Sequence, residues 1–341
     1  MPGVAIETVE MHTGGEPVRI ITSGYPPVNG ASILEKRRYA REHLDHLRRM
    51  LIFEPRGHKD MYGVIPVEPD DERADLAVLF MHNEGYSTMC GHAVIALSRW
   101  AVDSGIVEPA GDPTIVRIQC PCGLVTARVA IDITADGKAR TGDVSFESVP
   151  AFAHSLDAVL EVPDYGPVTL DIGYGGAFYA ILPAVSVGLD VRRSPIRDLV
   201  DAGDAVTKAV TRKLPVEHPD DPDLGFVYGT ILTDGGEGLS HEEPSANVTI
   251  FADAQVDRSP TGSGVTARMA LMAARGIITP GQPVYFESVT RAVFVARELA
   301  RGKLGKRETV SVEVTGRAHY TGTAHFTAEP DDMLAGGFLL R

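Results

Sequence analysis

Two short segments of the chain carry residue types suited to holding a small anion, one of them with a thiol. Cys90 stands in Met89-Cys90-Gly91-His92 at the head of an apolar helical run, and Thr261-Gly262-Ser263-Gly264 heads a second such run. A helix start presents unpaired backbone N–H groups and the positive end of the macrodipole, so it binds a carboxylate and lowers the pKa of a thiol placed there. The glycines beside each anchor let a ligand approach the backbone closely. Two such helix ends facing across a cleft would clamp one small anion. Taken alone, Cys90 also fits a buried thiol packed as a small hydrophobe, and Thr261 fits an ordinary N-cap.

What raises both above those plain alternatives is an internal duplication. Cys90-Gly91-His92-Ala93-Val94-Ile95-Ala96 aligns without gaps on Thr261-Gly262-Ser263-Gly264-Val265-Thr266-Ala267, and Gly105-Ile106-Val107-Glu108-Pro109 aligns at the same offset on Gly276-Ile277-Ile278-Thr279-Pro280. The helix between the anchors is apolar nearly all round in both copies, which predicts burial. Gly105 and Gly276 suit a left-handed C-terminal cap, with Pro109 and Pro280 preventing resumption. A looser echo pairs Thr13-Gly14-Gly15 with Tyr174-Gly175-Gly176.

Around these helices the pattern is of short strands, at 76–80, 114–118, 124–129, 178–182, 293–296 and 310–314. At 341 residues the chain suits two domains. The expectation is an α/β (α+β) protein of two pseudo-symmetric lobes, each a curved, mostly antiparallel sheet wrapped around a central helix. The first lobe spans 1–160, with 321–341 returning to it, the second spans 161–320, and the site lies in the cleft between them. Pro150, Pro163 and Pro167 crowd near the boundary. The acidic Glu217–Asp223 stretch and the Gly-rich Asp234–Gly238 stretch are surface turns without a chemical role.

Composition excludes several classes. Lys plus Arg total 32 against 46 Asp plus Glu, a net charge of −14, and no basic stripe exists for nucleic acid. The Lys36–Arg49 cluster, interleaved with Glu35, Glu42, Asp45, Leu44 and Leu47, is expected to form a solvated helix face. Apolar content is 44%, mean hydropathy is near zero, and no apolar run approaches the ~20 residues of a membrane span. The start, Met1-Pro2-Gly3, lacks the pattern of a signal peptide. Three cysteines, Cys90, Cys120 and Cys122, do not make a disulfide framework, so a cytoplasmic location is expected. Cys120-Pro121-Cys122 lacks a matching second pair and His241-Glu242-Glu243 runs into Pro244, so no metal is expected. No nucleotide-binding loop appears, and no cofactor is expected.

The segments Met89-Cys90-Gly91-His92 and Asp257-Arg258-Ser259-Pro260-Thr261-Gly262-Ser263-Gly264 resemble the two signature segments of the proline racemase family. The likeness extends to His12-Thr13-Gly14-Gly15-Glu16-Pro17, to Glu54-Pro55-Arg56-Gly57-His58-Lys59-Asp60-Met61 and to Gly336-Gly337-Phe338. It implies a diaminopimelate epimerase-like fold and two thiols working on opposite faces of a substrate Cα. By matching position it implies that Gly91, His92, Gly262 and Ser263 hold carboxylate and ring, and that Asp257 meets the secondary amine. The chain departs from the racemases at Thr261, where they carry the second thiol. That substitution resembles the family's dehydratases acting on trans-3-hydroxy-L-proline.

A threonine hydroxyl is too weak an acid and base at neutral pH to exchange a proton with Cα. If Cys90 removes that proton, productive turnover needs a leaving group on the adjacent carbon. A hydroxyl on ring carbon 3 qualifies, and one on carbon 4 does not. The expected activity is therefore dehydration to Δ1-pyrroline-2-carboxylate, with Thr261 positioning rather than titrating. The rivals are a proline racemase or hydroxyproline 2-epimerase and, in another class, a non-catalytic imino-acid-binding protein. The small substrate is the one expected partner, and a homodimer is left open.

Overall fold

The structure is a computed structural model that describes residues 4–133, 139–220 and 222–340; Met1-Pro2-Gly3 and Asp221 of the acidic loop lie outside the described residues. The chain divides into two compact units, Met1–Val144 with Arg317–Arg341, and Ser145–Gly316.

In the first unit, β1 (Val4–Thr13) and β2 (Glu16–Ser23) pair antiparallel across a turn that holds Gly14 and Gly15 at φ 63° and 89°. Glycine takes that left-handed conformation without strain. Two short helices follow, α1 (Ile33–Tyr39) and α2 (Asp45–Ile52), joined by a π-helical turn, Ala40–Leu44. Then come β3 (Tyr62–Val67), β4 (Leu76–His82), the long helix α3 (Gly91–Asp103), β5 (Thr114–Cys120) and β6 (Gly123–Ile133). From β2 to β6 each strand pairs with the next, alternately parallel and antiparallel.

The chain passes along β7 (Ala139–Glu147) into the second unit. There β8 (Phe152–Val162), β9 (Gly166–Tyr174) and β10 (Phe178–Pro183) precede α4 (Ile196–Lys213). After it come β11 (Val227–Thr233), β12 (Ser245–Phe251), the short β13 (Gln255–Asp257), α5 (Gly262–Ala274), β14 (Val284–Glu287), β15 (Val293–Leu304) and β16 (Arg307–Gly316). Finally β17 (Ala318–Ala328) belongs to the first unit and pairs antiparallel with β1.

The duplication seen in sequence is a duplication of topology. Along β17-β1-β2-β3-β4-β5-β6 the pairings are antiparallel, antiparallel, parallel, antiparallel, parallel, antiparallel. Along β8-β9-β10-β11-β12-β14-β15 the same series recurs. The two glycine echoes end equivalent strands, β1 and β9. Helices α3 and α5 occupy equivalent places, each between the strands of the second parallel pair. Both are buried over twelve successive residues, Gly91–Val102 and Gly262–Ala273, as helices with no polar face must be. Each ends at a left-handed glycine, Gly105 at φ 74° and Gly276 at φ 71°. Pro163 and Pro167 flank the β8–β9 turn, and the units divide earlier, at Val144 and Ser145.

One expectation is corrected. The basic run from Lys36 to Arg49 is not a solvated face throughout, since Lys36 and Arg48 are only 7% and 4% exposed. Lys36 Nζ donates to the Glu68 carbonyl at 2.8 Å. Arg48 reaches inward to backbone carbonyls and pairs with Asp45 at 2.6 Å. A charged head can be buried where it finds acceptors, and counting charges along a helix does not reveal them.

Candidate active site

Cys90 is the N-cap of α3, with extended backbone at φ −149° and ψ 103° and no capping bond from its side chain. Its sulfur is therefore not spent on the helix. Cys90 Sγ lies 3.1 Å from His92 Nδ1 and 3.6 Å from Nε2. An imidazole at that distance can take a thiol proton and return it. The His92 ring is fixed edge-on against Tyr62, 4.9 Å between centroids, and the His92 carbonyl accepts from Thr13 Oγ1 at 2.8 Å. The Tyr62 hydroxyl in turn bonds Ser87 Oγ in the loop before Cys90.

That loop is tied down from the corrected basic run. Arg48 Nη1 donates to the His82 carbonyl at 2.7 Å and also to the Asn83 carbonyl, while Arg37 Nε donates to the Tyr86 carbonyl at 3.1 Å. The Tyr86 hydroxyl bonds the Ala40 carbonyl at 3.3 Å, within the π-helical turn. The other two thiols lie near this end of the unit. Cys120 closes β5, and the Cys122 N–H bonds the Thr88 carbonyl at 3.1 Å. Burial pushes the Cys120 thiol well up, reinforced by Cys122 and Cys90, and pushes the Cys122 thiol up to about 12. Neither is a ready base at neutral pH.

At the equivalent end of the second unit Thr261 is the N-cap of α5, but with φ 66° and ψ 92°. A β-branched residue in that region is strained and persists only where its surroundings over-determine it. Here they do. Thr261 N–H bonds Ser259 Oγ at 3.1 Å, and Ser259 N–H bonds Asp257 Oδ1 at 2.7 Å. Thr261 Oγ1 lies 2.8 Å from both Asp257 Oδ2 and Thr249 Oγ1. The Thr261 hydroxyl is aimed as donor at both oxygens, so its one proton is shared between two acceptors. All three residues are buried.

Ser263 bonds the hydroxyl of the fully buried Tyr179 at 2.7 Å. Beneath this first turn of α5 lies Gly175, from the second glycine echo. A Cβ there would stand 2.2 Å from the Ser263 carbonyl oxygen and 2.6 Å from Ala267 N. Both are backbone atoms of one helix, which cannot yield singly. Gly175→Ala is accordingly expected to destabilise the protein by about 2–3 kcal/mol and to raise the substrate KM by displacing Ser263. A denaturant midpoint and a saturation curve check this; an unchanged midpoint would show that the contact yields freely.

The structure thus brings Cys90 together with His92, and Thr261 together with Asp257, while Ser263 goes to Tyr179. Gly91 and Gly262 open their helices. Sequence reasoning missed Tyr62, Tyr179 and Thr249. A signal existed for the last: β12 is buried throughout yet alternates Ser245, Asn247 and Thr249 with apolar residues, and a polar face inside a core must have partners. Asn247 Oδ1 and Ser245 Oγ accept from Arg268 at 3.1 and 2.6 Å. His241 packs edge-on against Tyr285 at 5.4 Å. Among the described residues no helix is long and apolar enough to cross a membrane.

Comparison with known proteins agrees with these observations. The family model described as proline racemase matches residues 8–339. The chain is 53% identical over 345 residues to trans-3-hydroxy-L-proline dehydratase of Homo sapiens, covering 100% of this chain and 96% of that protein. It is 43% identical over 337 residues to a 3-hydroxyproline 2-epimerase of Burkholderia multivorans, covering 99% and 98%. A solved hydroxyproline epimerase from Agrobacterium vitis, with bound trans-4-hydroxy-L-proline, is similar at a TM-score of 0.91 and 26% identity, covering 99% of this chain and 95% of that one. With both signature segments at the heads of duplicated helices and the match running nearly end to end, the chain belongs to the proline racemase family.

Proposed function

We propose that the protein is a hydro-lyase that dehydrates trans-3-hydroxy-L-proline to Δ1-pyrroline-2-carboxylate and water. The observation that carries this reading is one thiol beside an imidazole at the head of α3 and, at the equivalent place on α5, an alcohol whose only proton is directed to Asp257 and Thr249. Full-length identity of 53% with a dehydratase supports it.

In the proposed reaction His92 takes the Cys90 proton, and the thiolate removes the substrate Cα proton. The electron pair left on Cα forms the ring double bond as the bond from carbon 3 to its hydroxyl breaks. In the trans isomer the Cα hydrogen and the 3-hydroxyl share one ring face, so the elimination is syn. The departing hydroxide takes a proton from the Cys90–His92 pair and leaves as water, which returns that pair to its thiolate form. The enamine then tautomerises to the cyclic imine. Gly91 and Gly262 offer N–H groups at the helix starts to the carboxylate. Asp257 meets the secondary amine as a hydrogen-bond acceptor. Thr261 supports the second face of the ring without titrating.

On the fold, we infer the diaminopimelate epimerase-like arrangement in each unit, a mostly antiparallel sheet curved about one helix. It is supported by α3 lying against β1, β2, β5, β6 and β17, and α5 against β8, β9, β10, β15 and β16.

The Burkholderia relative favours a second reading, epimerisation at Cα, but that reaction needs a second proton-active group where this chain has Thr261. Incubating the protein with the 3- and 4-hydroxyproline isomers and with L-proline distinguishes the two. Pyrroline is expected from the trans-3-hydroxy-L isomer alone. Optical rotation that changes without pyrroline formation would replace this reading with the epimerase.

A further inference from the structure

We infer that Thr249 is a positioning residue for the group at position 261. This inference rests on the dehydratase reading and deepens it. Thr249 and Asp257 are paired across the antiparallel β12–β13 hairpin, so their side chains rise on one face of it as direct neighbours. Thr261 Oγ1 is received between them, 2.8 Å from each. The backbone pairing thus sets two acceptor oxygens at a fixed spacing, and a residue held at φ 66° is pinned there from both sides.

The duplication sharpens the point. At the offset that aligns Cys90 with Thr261, Thr249 aligns with Val78 and Asp257 with Tyr86. The strand beneath Cys90 is apolar from Leu76 to Met81, and the strand beneath Thr261 carries the polar face that ends in Thr249. A hydroxyl in a buried strand is retained at a desolvation cost unless it is used. Its use here is to hold residue 261 by accepting from the Thr261 hydroxyl. The Thr261 proton is then held between Asp257 and Thr249, and the second face of the ring meets a side chain that neither gives nor takes a proton. With a thiolate at that position the same hydroxyl can turn to donate, which favours the thiolate.

Two measurements test this. Replacing Thr249 with Val, nearly equal in volume, frees Thr261 to relax its strained backbone and lose its aim. Thr249→Val is expected to raise KM for dehydration about three- to tenfold while lowering kcat by less than about threefold, because Cys90 chemistry is untouched. Thr249→Ser, which keeps the hydroxyl, is expected to restore the wild-type KM. If Thr249→Val does not fold, Thr249→Cys, a weaker acceptor of similar size, takes its place. Secondly, on a Thr261→Cys background, Thr249→Val is expected to slow conversion of L-proline to D-proline at least about fivefold. A folded Thr249→Val enzyme with unchanged KM, a serine variant that fails to rescue, or racemisation indifferent to residue 249 overturns the inference. Those outcomes leave the dehydratase reading standing, whereas a wild-type enzyme that forms no pyrroline removes that reading instead.

Discussion

Cys90→Ser is expected to abolish pyrroline formation, with kcat lower by about a thousandfold or more. The substitution is nearly isosteric, so the fold and the His92 contact survive while the group that ionises does not. A serine hydroxyl beside an imidazole is still a far weaker base toward carbon than a thiolate, since its own pKa lies well above the working range. The other two thiols are poor substitutes, because burial pushes the pKa of Cys120 and Cys122 up. The check is kcat on trans-3-hydroxy-L-proline together with a binding measurement for the same compound. Binding kept and turnover lost is the expected result. Turnover retained in Cys90→Ser would remove the base assigned here and, with it, the mechanism.

Why this residue was visible in the sequence, and its supports were not, has a physical reason. Cys90 and Thr261 announce themselves through local grammar: an anchor, a glycine, an apolar helix and a left-handed glycine cap, repeated at one offset. Those are short-range preferences, and the structure follows them at Gly105 and Gly276. Tyr62, Tyr179 and Thr249 act through space from strands far along the chain, where nothing in their own neighbourhood states a partner. Arg48 is the plainest case. Its surroundings in sequence are those of a solvated helix, and its guanidinium nevertheless serves the carbonyls of His82 and Asn83, which lie just ahead of the Cys90 loop.

The repeat also misleads as it informs. Because the two copies share pairing order and helix placement, the second helix head invites the same chemistry as the first. The chemistry differs through residues that the echo does not preserve. His92, against the Cys90 sulfur, aligns with Ser263, which bonds Tyr179 instead. Tyr86, whose hydroxyl bonds the Ala40 carbonyl, aligns with Asp257, which accepts from the Thr261 hydroxyl. The scaffold is twofold, and on the proposed reading the proton chemistry is one-sided.

That one-sidedness predicts the outcome of Thr261→Cys. A thiol at the head of α5 would find the helix start and the Thr249 hydroxyl favouring its thiolate, and the Asp257 carboxylate opposing it. L-Proline isolates the effect, because it has no leaving group and elimination cannot compete. Wild-type enzyme is expected to return L-proline unchanged in configuration, since Cys90 can only replace the proton on the face from which it took it. Thr261→Cys is expected to produce D-proline at a rate at least about tenfold above background, and to divert trans-3-hydroxy-L-proline partly to its Cα epimer at the expense of pyrroline. Chiral chromatography of both reactions reads the result. If the variant folds and binds proline but gives no D-proline, the second helix head does not address the substrate Cα. If wild-type enzyme inverts proline unaided, a proton donor other than residue 261 serves that face.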